Sequence, residues 1–229
     1  MSAAGPIVLV HGAWLGDWCW IPVEAVLRAA RRQVHVVALT GFGSKRHQNT
    51  PDVTLADHVA DIVSLIEAYD LDDVTLAGHS YGGRVVTQAL GQIGGRVRSV
   101  VYLDAHAPIG QDPGVPESWH ELAAANGGML PFHGYELDAD ELGGDERVRW
   151  FAERLLPIPL ACFTAPWWAP VPDGIRPTFV LATRNRPSRF EDYAAASRAD
   201  PAWAYAEVDA GHFLMWSRPR DVAELLLDA

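Results

Sequence analysis

The stretch LAGHSYGGRVV, Leu76 to Val86, decides the fold. Ser80 stands in it between His79 and Tyr81, with Gly78, Gly82 and Gly83 around it. A β-branched and apolar run, VTLA, leads in, and a helical pattern leads out to Ile93. A turn needs one glycine. Three so close together mean that the backbone bends sharply and that neighbouring chains come near it. The pattern is G-x-S-x-G between a strand and a helix. In a parallel sheet, ligands bind beyond the carboxyl ends of the strands. A tight strand-to-helix turn there lifts the serine hydroxyl over the sheet edge, and the following helix offers N–H groups to a developing oxyanion. A glycine-rich turn with a capping serine is the plainer alternative, and the strand and helix around Ser80 argue against it.

Strands and helices alternate outward from this turn. IVLV (Ile7 to Val10) reads as a buried strand that breaks at His11-Gly12. A helix pattern follows from about Trp18 to Arg31, with Pro22 suited to its first turn. VHVVAL (Val34 to Leu39) is a second strand. A helix over Leu55 to Tyr69 is capped by Thr54, with Asp57 at its third position. Val74 to Ala77 and Val97 to Leu103 are strands around the serine turn. Thr178 to Ala182 and Trp203 to Val208 are two more, with helices over Phe190 to Arg198 and Pro219 to Leu227. This predicts an α/β fold of about six mostly parallel strands with helices on both faces. Residues 106–176 break the rhythm. They are rich in Pro, Gly and Trp and too long for a plain loop, so an inserted cap is expected there within a single domain, 1–229.

Composition narrows the function. The chain has 229 residues, 49% hydrophobic and 21% charged, enough for a real core. A net charge of -11 gives no grip on nucleic acid or an anionic membrane. Lys45 is the only lysine, and its loop position disfavours Schiff-base chemistry. Cys19 and Cys162 have neither CxxC nor metal spacing, so free thiols in a reducing compartment are expected. No HExxH occurs and the histidines are dispersed, so neither metal nor cofactor is expected. The N-terminus lacks a signal-peptide pattern and no apolar run reaches membrane-spanning length. A cytoplasmic enzyme acting on a small molecule is the expectation; the oligomeric state is not readable.

A serine nucleophile needs a base. VDAGHF (Val208 to Phe213) closes the last strand, which brings His212 to the same sheet edge as Ser80. His11 and His79 also lie near that edge, beside glycines at tight turns, and read as structural. Three markers, HGAW at 11–14, GHSYGG at 78–83 and AGHF at 210–213, resemble the α/β-hydrolase superfamily over essentially the whole chain. HGAWLGDWCW resembles the branch of small plant esterases and hydroxynitrile lyases. The resemblance implies an oxyanion hole from the Ala13 and Tyr81 backbone N–H groups. It also exposes a departure. Many relatives carry the triad acid after the strand that follows the cap, and here that loop, ATRNRPSRF, has no Asp or Glu, only Asn185. Asp104, at the end of VVYLDAHAP, is the preferred acid, because some branches place it after this strand. Asn185, Glu191, Asp192 and Asp209 remain open.

Aromatics from the insert, with Trp14 behind the oxyanion loop, are expected to line an apolar pocket. Trp14, His106, Trp119 and Trp167 are the candidates, against the alternative that they form the cap's own core. The first functional reading is a serine hydrolase acting on a small, neutral, moderately hydrophobic ester or lactone. The second is a cofactor-free carbon–carbon lyase. The plant lyases of this fold carry Thr where Gly12 stands and Lys where Phe213 stands, and neither is present. A non-enzymatic receptor is the third, disfavoured by the intact Ser80 and His212.

Overall fold

A computed structural model describes residues 5–112 and 114–229. The strands are β1 (Ile7–Val10), β2 (Val34–Val37), β3 (Val74–His79), β4 (Val97–Leu103), β5 (Met129–Leu130), β6 (Ile158–Pro159), β7 (Arg176–Ala182) and β8 (Ala204–Val208). The α-helices are α1 (Ile21–Ala29), α2 (Leu55–Ala68), α3 (Gly82–Ile93), α4 (Glu117–Ala124), α5 (Ala139–Leu142), α6 (Asp145–Ala152), α7 (Ala161–Thr164), α8 (Phe190–Ala199), α9 (Leu214–Ser217) and α10 (Pro219–Asp228). Six strands form one sheet in the order β2-β1-β3-β4-β7-β8. Every pairing within it is parallel.

The central strands are buried on both faces because they are mostly apolar, and the two-residue period sorts their side chains. Val8, Val10, Leu76, Val100, Tyr102 and Phe179 face α2, α3 and α8. Ile7, Leu9, Ala77, Val101, Leu103 and Val180 face α1, α9 and α10. α2 starts where the sequence places it. The Thr54 hydroxyl accepts from the Asp57 N–H, and Asp57 accepts from the Thr54 N–H. The Thr54 hydroxyl also donates to the Asp57 carboxylate, and this bond, with that from the Thr54 N–H, holds the Asp57 carboxyl below its usual range.

Several boundaries differ from the sequence reading by a residue or more: β2 stops at Val37, β7 starts at Arg176, and two others bear on the site. The pattern from Trp18 opens as a 3₁₀ turn, Asp17–Trp20, and the α-helix begins only at Ile21, with Pro22 in its first turn. β3 runs on through His79, so the strand delivers its last residue directly to the serine turn. Cys19 and Cys162 are free and buried, one in each of the two cores. No described helix is long and apolar enough to cross a membrane.

The chain leaves β1 for β2 on one side and returns to β3 on the other. That reversal opens a crevice at the carboxyl ends of β1 and β3. Between β4 and β7 the chain makes a long excursion, carrying α4–α7 and a two-stranded β5–β6 ladder. This excursion covers the crevice: the Trp14 carbonyl accepts from the Leu156 N–H, and the Trp14 indole donates to the Leu130 carbonyl at 2.9 Å.

Candidate active site

Ser80 sits in the left-handed region, with φ 53°. A non-glycine residue there costs roughly 1–3 kcal/mol and persists only where its surroundings enforce it. The surroundings are visible. The Ser80 N–H donates to the Leu103 carbonyl, and the Ser80 carbonyl accepts from Gly83 and His106 N–H. The glycines are required by space. A Cβ on Gly78 would lie 2.7 Å from the Gly82 carbonyl oxygen, one on Gly82 2.7 Å from that of His11, and one on Gly83 2.0 Å from that of His106. Helix α3 can thus approach β1 and β4 closely enough to carry the serine between them.

Asp104 ends β4 in the same strained manner, with φ 44°. Its N–H continues the ladder to the Val180 carbonyl of β7. Its carboxylate accepts from His212 Nδ1 at 2.7 Å, from Asn185 Nδ2 at 2.7 Å and from the Ala182 N–H at 3.2 Å. The structure thus brings Asp104, His212 and Asn185 together. Burial pushes the Asp104 carboxyl up to about 7, against the bonds from Asn185 and Ala182 that favour the carboxylate. Burial also lowers His212, which favours a neutral ring with a free lone pair on Nε2.

The other acids are engaged elsewhere. Asp209 pairs with Arg184 at 3.2 Å on the surface. Glu191 accepts from the Ser188 N–H and faces Arg186. Asp192 is exposed in the first turn of α8.

The loop that carries His212 is fixed from two directions. Glu141 of α5 accepts from the Gly211 N–H at 2.7 Å. The His79 Nε2–H donates to the His212 carbonyl at 2.8 Å. His11 accepts the Leu39 N–H on Nε2 and donates from Nδ1 to the Gly12 carbonyl. These are the structural roles expected for His79 and His11. Ala13 follows β1 and Tyr81 follows Ser80. Among the described residues, neither backbone N–H meets an acceptor, although both residues are buried. The Tyr81 hydroxyl is held by His58 Nδ1 at 2.8 Å.

This crevice has known counterparts. The description "Alpha/beta hydrolase family" matches residues 7–225. The chain belongs to the alpha/beta hydrolase family. It is similar to a carbendazim hydrolyzing esterase of Nocardioides sp. (strain SG-4G), 34% identical, with 96% of this chain and 97% of that protein covered. It is also similar to Methylesterase 8 of Arabidopsis thaliana, 30% identical over 44% of this chain and 38% of that protein. Among solved structures, an extracellular alpha/beta-hydrolase from a Paenibacillus species, described as sharing structural and functional homology with tobacco salicylic acid binding protein 2, superimposes with a TM-score of 0.80. It is 22% identical and covers 98% of each chain.

The inserted segment of this alpha/beta hydrolase supplies a residue that the sequence reading missed. Tyr135 stacks on His212, with ring centroids 4.1 Å apart and planes within 6°. Phe190 of α8 lies parallel to the same imidazole at 5.4 Å. Neither belongs to a motif. Tyr135 lies in an irregular stretch, PFHGYELD, where no periodicity points a side chain anywhere. The expected pocket residues divide. Trp119 lines a cavity beside Tyr135 and Asn185. His106 is buried against Trp167, Phe190 and Tyr193, and its N–H bonds Ser80. Trp14 packs on Phe132, His133 and Phe163 as part of the insert's own aromatic core. The Trp167 indole donates to Asp112 at 2.7 Å.

Proposed function

We propose that this hydrolase is a serine esterase in which Ser80, His212 and Asp104 form the triad. The observation that carries the reading is the buried 2.7 Å bond from His212 Nδ1 to Asp104, set beside a serine strained into the left-handed region. With Nδ1–H given to Asp104, Nε2 keeps its lone pair and serves as general base. The Ser80 hydroxyl loses its proton to His212 as Oγ bonds to the acyl carbon. The carbonyl oxygen becomes an oxyanion held by the Ala13 and Tyr81 N–H groups, each worth about 10² to 10³ in rate. The tetrahedral intermediate collapses, and the departing alkoxide takes the proton back from His212. A water activated by His212 then releases the acid and restores Ser80.

The substrate is a small, moderately hydrophobic ester, in keeping with the aromatic surroundings and with relatives that are esterases. The lyase reading has less support. A Cβ on Gly12, where the plant lyases carry Thr, would lie 2.9 Å from Ser80 Cβ. Phe213, where they carry Lys, is buried against Phe151. The test is hydrolysis of p-nitrophenyl esters of two to eight acyl carbons by wild type and Ser80→Ala. Activity lost in the variant supports the esterase. Activity indifferent to Ser80 would end this reading. Fluorophosphonate labelling of Ser80 provides a second check independent of substrate choice.

A further inference from the structure

Beside the triad lies a cavity of about 230 Å³ whose walls include Trp119, His133, Tyr135, Asn185, Ser188 and Arg189. It is continuous with the site through two of them. Tyr135 stacks on His212, and Asn185 bonds Asp104. Its polar walls are unfinished. Arg189 Nη1, Ser188 Oγ and His133 Nε2 are all shielded from solvent and all lack a hydrogen-bond partner. Buried polar atoms are ordinarily paired, and each unpaired one costs on the order of 1–3 kcal/mol, so these three leave room for a partner on this side of the triad.

The charge is also unbalanced. The Arg189 guanidinium lies over the face of Trp119 at 5.1 Å. Among the described residues, no carboxylate comes within 4.0 Å of it. Glu191, its close neighbour in sequence, accepts from the Ser188 N–H and turns to Arg186. Asn185 donates to Asp104 and leaves Arg189 alone. The cation lies near enough to the Tyr135 hydroxyl and the His106 imidazole, both beside the triad, to exert a downward pull on the pKa of each. A second arginine, Arg84, is buried nearby. It donates to the Phe163 carbonyl, and its Nη2 is 3.6 Å from Asp112. Arg84 is thus engaged by its own partners and does not line the cavity, so Arg189 is, among the described residues, the one guanidinium on its wall.

We propose that this cavity is a subsite for a free carboxylate on the substrate, so that the enzyme hydrolyses esters that carry a second, anionic end. A carboxylate matches the planar guanidinium, accepts from the Ser188 hydroxyl, and neutralises the one formal charge on the cavity wall. A cationic group would be repelled, and a neutral alkyl group would leave the three polar atoms unpaired. The volume, about eight water molecules' worth, admits a carboxylate and a few methylenes. The subsite rests on the esterase reading for its use, though not for its binding. It also replaces the neutral substrate expected from net charge. That expectation concerned the long-range field, whereas recognition here is local.

The test compares matched pairs of esters by methanol or acetate release. Monomethyl glutarate is set against methyl pentanoate, with the charge on the acyl side. Acetoxyacetate is set against propyl acetate, with the charge on the alcohol side. The expected result is a kcat/KM at least tenfold higher for the anionic member of one pair. Arg189→Met should bring that ratio to about one, Arg189→Lys should retain part of it, and Ser188→Ala should lower it by a smaller factor. Equal rates within both pairs, or a preference that survives Arg189→Met, would overturn the subsite. Calorimetric titration of the same anions into Ser80→Ala separates the two readings. Binding that disappears on adding Arg189→Met, with no turnover by wild type, keeps the subsite and ends the esterase. Turnover without preference, and without Arg189-dependent binding, does the reverse.

Discussion

Asp104→Asn tests the triad assignment most directly, because it keeps the side chain's shape and removes only its charge and one acceptor. The Asp104 carboxylate now accepts on one oxygen from the Ala182 N–H and on the other from both Asn185 and His212. An amide cannot accept at both places. If its oxygen stays on the Ala182 N–H, its NH₂ meets His212 Nδ1, which must then become the acceptor. The proton moves to Nε2, and the lone pair that should take the Ser80 proton is gone. Loss of kcat by about 10³ to 10⁴ is expected, by the precedent of a triad aspartate exchanged for asparagine. At 1.36 kcal/mol per decade this is about 4 to 5.5 kcal/mol of transition-state stabilisation.

Unfolding cannot masquerade as this effect, because the stability change runs the other way. Burial lifts the native carboxyl from 3.8 to about 7, so the folded chain holds this proton more tightly than the unfolded chain. The group's favourable contribution is complete below about 3.8 and is lost as pH rises through 7. An asparagine has no such loss. Asp104→Asn should therefore melt at pH 8 no lower than wild type. The assay is kcat on p-nitrophenyl acetate together with a thermal melt. A kcat within tenfold of wild type would remove Asp104 from the triad, and Asn185, Glu191, Asp192 and Asp209 would have to be tried in its place.

Other expectations concern the supports. Asn185→Ala should lower kcat by about tenfold, as befits one hydrogen bond to a charged group; a collapse as large as that of Asp104→Asn would reverse the assignment. Gly83→Ala drives a Cβ to 2.0 Å from the His106 carbonyl oxygen. It should destabilise by about 2–4 kcal/mol in denaturant titration, and a change under about 0.5 kcal/mol would contradict the elbow packing. Tyr135→Ala hydrates His212, whose lowering comes from burial alone. The acid limb of kcat/KM should move to higher pH, and an unmoved limb would deny the ring its role. Acid should also destabilise the fold. Burial holds His11 down at about 4 and lowers His58, His79 and His106. The unfolded chain protonates these rings first, so the stability they give above about 6.5 is lost as pH falls toward 4. A melting temperature unchanged between pH 7 and 5 would refute this.

The sheet was legible because each strand is a short apolar run closed by a glycine or a polar residue, and α3 and β4 have the bounds read from their patterns. Ser80 and His212 were legible because each sits where a strand ends, so chain position alone brings them to one edge. The 3₁₀ opening at Asp17 was not legible. It follows from Gly16 lying against Gly43, where a Cβ would be 2.5 Å from the Gly43 Cα, a contact between distant residues. Tyr135, Phe190 and Arg189 were missed for a related reason. They act through what stands opposite them. A ring stacked on an imidazole, or an arginine with no acid in reach, has no signature along the chain. Trp14 and Trp119 look alike in sequence, and only the fold buries Trp14 in the insert's core while Trp119, packed on that core, also reaches a cavity wall.

The acid's place after β4 follows from the geometry of parallel strands. β4 and β7 are neighbours, with Leu103 opposite Val180. Their carboxyl ends are therefore one strand spacing, about 4.8 Å, apart. A side chain leaving either end can meet the same imidazole, so the carboxylate can stand after β4 or after β7 without moving the histidine. This chain shows both positions occupied: Asp104 from β4 bonds Nδ1, while Asn185, just past β7, bonds Asp104 and comes within 3.4 Å of Nδ1. One charge serves the imidazole, and a second carboxylate at 185 would repel it across the same few ångströms. The asparagine is then the partner that Asp104 requires. An amide donates to a buried carboxylate without adding charge, and so offsets part of the burial that pushes that carboxyl up. Asn185→Asp follows as the sharpest check. It should raise the Asp104 pKa further and cut kcat more than Asn185→Ala does, although it restores the acid that many relatives carry at this loop. A variant as active as wild type would show that either carboxylate suffices.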